Sequence, residues 1–206
     1  MTFLKTVQLG ALAGLMAVAT LDSACATEPA SPEKVTHFEQ LNLSNGLAET
    51  PPMGWSSWNG FGVGINEKLI IETIDAMVEN GMRDAGYIYV NLDDGWQRFK
   101  GSREDNPLDY DPVKFPHGIK YLADYAHERG MKLGIYSGPG KDTCAGFTVS
   151  AGHEAEDAAM FAAWGIDHLK YDACCSHVDE SADVVRRDFL KMSKAPIKGN
   201  ERMVVS

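Results

Sequence analysis

The sequence predicts an α/β protein built from successive parallel β/α units, and three observations predict it. Helix-period and strand-period apolar patterns alternate through residues 50–206, most helices closing on a glycine before the next strand, at a spacing of roughly 35 to 40 residues. Aromatic and charged residues fall at the carboxyl ends of successive strands: Trp58, then Asp93 and Asp94, then Tyr136, then Lys170 and Asp172. Repeating units suit a barrel or a doubly wound sheet alike, but an eight-stranded barrel is the fold that keeps its chemistry at those strand ends. Third, the first βα turn has no Gly-x-Gly-x-x-Gly phosphate loop; Gly60, Gly62 and Gly64 read as a tight loop. The expected fold is an incomplete (β/α)8-type barrel, about its first four to five units.

The elements follow in order. Two prolines, Pro51 and Pro52, forbid a helix, and Met53 to Trp58 fits a first strand ending in Trp58, Asn59 and Gly60. From Asn66, a suitable N-cap, Ile70, Ile71, Ile74, Met77 and Val78 share a helical face, and Asn80-Gly81 ends the helix. Tyr87 to Leu92 is the second strand. The polar stretch from Arg98 to Pro116 is a long loop, and loops of that size in compact domains are usually functional. A helix from Gly118 to Arg129 leads to a strand from Lys132 to Ser137. An Ala-rich helix from His153 to Trp164 leads to the strand that reaches Lys170 and Asp172. A helix from about Val178 to Met192 and a fifth strand at Arg202 to Ser206 complete the pattern.

Composition narrows the function. With 19 basic and 29 acidic residues the formal net charge is -10, the wrong sign for a phosphate-binding surface, so nucleic acid is excluded as a partner. Lys5, the apolar run Val7 to Leu21 and Ala24-Cys25-Ala26 read as a secretory signal peptide over residues 1–26, with a polar leader over 27–49. A secreted or periplasmic protein without a membrane span is expected. Lipidation at Cys25 is a minor route, since Asp22 and Ser23 stand where small or branched apolar residues are wanted.

Export makes disulfides possible for Cys144, Cys174 and Cys175. A Cys144–Cys174 bridge would close a loop of roughly 30 residues, a contribution of about 3.5 kcal/mol by chain entropy. Zinc is the competing use, although adjacent cysteines without a second pair make a poor tetrahedral site. His117, His127, His153, His168 and His177 are scattered and form no tight ligand set, so no metal and no cofactor are expected.

The chemistry concentrates in His168-Leu169-Lys170-Tyr171-Asp172-Ala173-Cys174-Cys175. Strand alternation puts Lys170 and Asp172 on one face, and an ammonium beside a carboxylate favours its ionised, nucleophilic form. A rim ion pair closing the strand is the plainer reading of the octapeptide alone.

The segments Pro51-Pro52-Met53-Gly54-Trp55-x-x-Trp58, Tyr89 to Trp96, Leu133-Gly134-Ile135-Tyr136-Ser137, Thr143-Cys144-Ala145-Gly146-Phe147 and Trp164 to Asp172 with Cys174 resemble the retaining α-galactosidases (melibiases) of glycoside hydrolase family 27. The resemblance implies that Asp172 is the nucleophile and that Lys170, Asp93 and Asp94 bind the sugar. It also implies that Trp58 and Tyr136 wall the subsite, and that Cys144 is bridged to Cys174. Carboxylates that accept from hydroxyls and aromatic faces that cover C–H groups suit such a ligand.

Two departures qualify it. A second family disulfide has no counterpart, since Gly95 and Val63 stand at its places. After the signal peptide, about 180 residues remain against roughly 250 for a whole barrel. The general acid and the loop that selects the sugar's 2-substituent are therefore expected beyond Ser206. Asp167 and Asp179 are poor substitutes, one at the wrong end of its strand and one on a helix. The resulting expectation is an exo-acting galactoside hydrolase whose present residues lack the acid. Action on α-N-acetylgalactosaminides or β-L-arabinopyranosides, or a non-catalytic sugar-binding remnant, are the alternatives.

Overall fold

The computed structural model describes residues 46–174, 181–195 and 203–206. The expected signal peptide, most of the leader, Cys175, His177 and Asp179 lie outside the described residues. Those described belong to one unit, Thr36–Ser206.

Ten elements follow one another: β1 (Gly54–Ser56), α1 (Trp58–Phe61), α2 (Glu67–Glu79), β2 (Tyr89–Asn91), α3 (Gly118–Glu128), β3 (Lys132–Ser137), α4 (Glu154–Trp164), β4 (His168–Tyr171), α5 (Ala182–Ser193) and β5 (Val204–Val205). The strands form a single parallel sheet in the order β1-β2-β3-β4-β5, pairing Ser56 with Asn91, Asn91 with Gly134, Ser137 with Tyr171 and Leu169 with Val205. A doubly wound sheet reverses its strand order at a switch point. Here strand order is chain order throughout, and the described residues form an arc of a (β/α)8-type barrel, as expected.

Alternation along the strands sorts the side chains onto two faces. Val90, Leu92, Leu133, Ile135 and Leu169 face the helices, where they meet Ile70, Ile74, Leu122, Ala126 and Phe161 in the apolar core. Tyr171 packs edge-on against Phe189 of α5. The other set is polar, and its members meet one another. His168 Nδ1 lies 3.0 Å from Asn91 Oδ1 and its Nε2 lies 3.0 Å from Ser206 Oγ, while Lys132 donates to the Tyr89 hydroxyl at 3.3 Å. Gly134 makes the first of these contacts possible, because a Cβ there would strike the Asn91 side-chain oxygen.

Burial holds His168 below its ordinary imidazole value. A folded pKa depressed from 6.5 means that the unfolded chain takes up the proton first as pH falls. The stability contributed by neutral His168 is therefore full above pH 6.5 and is lost progressively below it. Urea midpoints at pH 7.5 and 5.5 check this: the acid-side drop is expected to be smaller in His168→Gln than in the parent.

The helix caps match the sequence closely. The Asn66 side chain accepts from Leu69 N at 3.0 Å, as an N-cap should, and Asn80 closes α2. Gly165, in the left-handed region at φ 81°, ends α4. The first strand is shorter than expected, and Trp58 opens a helical turn instead of ending the strand. Ser57 N still donates to Asn91 O, but Phe61 N and Gly62 N then turn back to Ser57 O and Trp58 O. Gly62 adopts φ 50°, which favours glycine after such a turn.

The long loop is ordered against the loop that carries Cys144. Isolated bridges join Gln97 to Tyr110 and Lys100 to Phe147. Arg103 reaches Asp157 of α4 at 2.8 Å, with side chains only 13% and 3% exposed, so the loop is anchored by a buried ion pair.

Candidate functional site

The site gathers at the carboxyl ends of β1 to β4. Each of its side chains is delivered by the alternation that faces it away from the helices, or by the turn just beyond its strand. Lys170 Nζ, on β4, lies 2.9 Å from Asp93 Oδ2 and 3.8 Å from Asp172 Oδ2. The expected Lys170–Asp172 pair is present, but the closer carboxylate is Asp93, two strands away. A curved sheet explains this: its inward side chains converge across an intervening strand, and a lysine is long enough to bridge the gap.

Asp93 is almost fully buried and held at several points. Its Oδ1 accepts from Asp94 N at 2.8 Å, its Oδ2 from Lys170 and from Ser56 Oγ at 3.4 Å, and its own N–H donates to Ser57 Oγ at 3.0 Å. Asp172 stands just past β4 with its side chain 36% exposed, within reach of a ligand. The Tyr136 hydroxyl donates to Asp172 Oδ2 at 3.2 Å, and the Lys170 ammonium sits 5.0 Å from the centre of the Tyr136 ring. Burial, and then the charges of Asp172 and Asp94, push the Tyr136 phenol far above its ordinary value. Tyr136 therefore stays a donor.

Asp94 is 1% exposed, and Ala145 N donates to its Oδ2 at 2.8 Å. Burial raises its pKa, opposed by the nearby Thr143 side chain and the Ala145 and Gly95 backbone. Its Oδ1 is buried with no hydrogen-bond partner among the described residues. An acceptor left bare in this way costs free energy until something donates to it. Asp93 thus has partners at both carboxylate oxygens, whereas Asp94 has one oxygen without a partner among the described residues.

Cys144 and Cys174 are joined, Cα to Cα 5.5 Å, across 30 positions. The bridge ties the Thr143–Gly146 turn, whose Ala145 grips Asp94, to the segment that carries Asp172. Trp58 is 37% exposed on α1.

Several contributing residues were not singled out from the sequence. Ser56 and Ser57 support Asp93, Ala145 acts through its backbone, and Trp96 Nε1 donates to Tyr136 O at 2.8 Å to hold that strand end. Only the two serines carried a visible signal, as adjacent hydroxyls at a strand end. The described histidines outside β4 serve elsewhere: His117 pairs with Glu67, His127 with Asp167 and His153 with Glu156.

The family model described as alpha galactosidase A matches residues 50–206. Alpha-galactosidase 3 of Arabidopsis thaliana is 52% identical over 137 residues, which are 66% of this chain and 31% of that protein. Alpha-galactosidase A of Cellvibrio japonicus is 47% identical over 163 residues, 78% of this chain and 38% of its own. The solved structure of α-galactosidase from Saccharomyces cerevisiae with raffinose superimposes with a TM-score of 0.69 at 38% identity, covering 78% of this chain and 35% of that one. The chain thus spans little more than a third of the length of these relatives.

Proposed function

Since the chain belongs to the alpha galactosidase A (melibiase) family, glycoside hydrolase family 27, we propose that the β1–β4 rim is the galactosyl subsite of a retaining exo-α-galactosidase, with Asp172 as its nucleophile. One observation carries the reading: a single ammonium, Lys170, lies 2.9 Å from Asp93 and 3.8 Å from Asp172, so a sugar-gripping carboxylate and an attacking carboxylate share one cation.

In this reading, Asp93 and the bare Asp94 Oδ1 accept from galactose hydroxyls, while Tyr136 and Lys170 fix the Asp172 carboxylate toward the anomeric carbon. Trp58 supplies an aromatic wall for the C–H face of the ring. Attack by an Asp172 oxygen forms the galactosyl ester as the bond to the aglycone oxygen breaks. The leaving oxygen takes a proton from a general acid, which then activates water to release galactose with retained configuration. Such an acid stands about 5 to 5.5 Å from the nucleophile. Asp93 accepts from Asp94 N and Lys170, Asp94 accepts from Ala145 N, and both are already assigned to the sugar hydroxyls. Neither is free to protonate a leaving group, so the acid is assigned to a residue outside those described. Export to the periplasm or beyond belongs to the same proposal and fits a substrate met outside the cytoplasm. Among the described residues, no helix is long and apolar enough to cross a membrane.

The test is direct. Calorimetry of the 206-residue chain with galactose is expected to show one site, and Asp94→Ala is expected to weaken it at least about tenfold, the usual cost of losing a hydrogen bond to a charged acceptor. Trapping with a slow 2-fluorogalactosyl donor, followed by digestion, should label the peptide holding Asp172. A label on any other peptide would refute the assignment.

A further inference from the structure

We propose that Lys114, in the long loop between β2 and α3, is a positioning residue that sets the Asp94 carboxylate by clamping the turn on which it stands. This rests on the galactosyl-site reading only for its functional consequence; the clamp is a matter of geometry.

Lys114 Nζ donates to two backbone oxygens that are distant in sequence, Gly95 O at 2.7 Å and Val63 O at 2.9 Å. The first belongs to the residue directly after Asp94, and the second to the loop between β1 and α2. These two stretches press together without a covalent tie: Gly95 has φ 100°, and a Cβ on it would lie 2.8 Å from Val63 Cα. The turn needs glycine both for its backbone conformation and for the close approach. Glycine is also the residue with most freedom to move when released. Its peptide is therefore fixed from outside, by the Gln97 side chain on the N–H side at 3.1 Å and by Lys114 on the carbonyl side.

The lysine is itself held. Its own carbonyl accepts from Glu67 N at 2.9 Å, its N–H approaches Asp111 Oδ1, and its ammonium lies 5.7 Å from the centre of the Phe147 ring. Burial lowers its pKa, an effect offset by the charges of Asp111 and Asp94. A partly buried ammonium aimed at two carbonyls is costly unless both bonds form, so the clamp is set rather than incidental. It occupies the junction where the family resemblance places a second disulfide and this chain has Val63 and Gly95. Held there, Asp94 presents Oδ2 to Ala145 N, while its Oδ1 has no hydrogen-bond partner among the described residues.

Two readouts test this on the intact 206-residue chain. The first needs no ligand. In Lys114→Met, hydrogen-exchange protection of the Ala145 amide, which donates to Asp94, is expected to fall about tenfold while β3 and β4 amides keep theirs. Lys114→Arg, which keeps donors for both carbonyls, should restore it. If the Met variant also loses protection in β3, Lys114→Gln, with a donor for one carbonyl, takes its place. The second readout is galactose affinity in a double-mutant cycle: Lys114→Met is expected to weaken binding about tenfold in the parent and to change little in an Asp94→Asn background. Unchanged Ala145 protection, or strictly additive losses of affinity, would overturn the proposal. Reduced Ala145 protection in a chain whose parent binds no galactose would leave the clamp standing and refute the galactosyl reading instead.

Discussion

One equivalent of nitrophenolate, released in a burst that then nearly stops, is the expected result of mixing the 206-residue chain with a dinitrophenyl α-galactoside. The reason lies in the division of labour in retaining hydrolysis. A general acid is needed because an alkoxide is a poor leaving group, and the same residue later activates water. A dinitrophenolate leaves without a proton, so the first step needs only the nucleophile, and the second still needs the base that the proposed mechanism assigns outside the described residues. The galactosyl ester on Asp172 should therefore accumulate, visible as a gain of one hexosyl unit in the intact mass. Asp172→Asn removes the attacking oxygen and is expected to abolish the burst, slowing release by on the order of 10^4-fold or more, the scale of nucleophile deletion in other covalent enzymes. Many turnovers of a methyl galactoside, whose alkoxide cannot leave unaided, would show that an acid is present in the chain. A burst that survives in Asp172→Asn would remove Asp172 from the role.

The second large effect concerns the Cys144–Cys174 bridge. Replacing both cysteines with alanine is expected to lower stability by about 3.5 kcal/mol through the loop the bridge closes, measured by urea unfolding, with a steeper slope because the unlinked denatured chain exposes more surface. The bridge also spans the site. One end adjoins Ala145, which holds Asp94, and the other lies two residues beyond Asp172. Galactose affinity should consequently fall along with stability, even where the variant remains fully folded. A midpoint shift worth less than about 1 kcal/mol would mean that the unlinked chain already keeps these ends together.

Much of the architecture was legible because it is written in local periods. The α2 face of Ile70, Ile74 and Met77, the Asn66 cap and the β3 strand lie where apolar spacing put them. The site was legible in part for a related reason: strand ends carry their residues to a common rim. What escaped was set by the third dimension. Lys170 finds Asp93 before Asp172 because the sheet curves, and no sequence spacing encodes which strand a long side chain will cross to. Apolar spacing puts Trp58 at the end of a strand, but the Ser57 hydroxyl accepts from Asp93 N and the chain coils at once. Lys114 looked like one polar residue among many in a loop, because its partners are backbone carbonyls that have no residue signature at all.

Strand order that repeats chain order has a consequence for how this protein comes into being. Each described strand after the first pairs with the one synthesised just before it, so these contacts form between neighbours in time as well as in space. By the time residue 174 has emerged from the ribosome, every group assigned to gripping the sugar has been delivered.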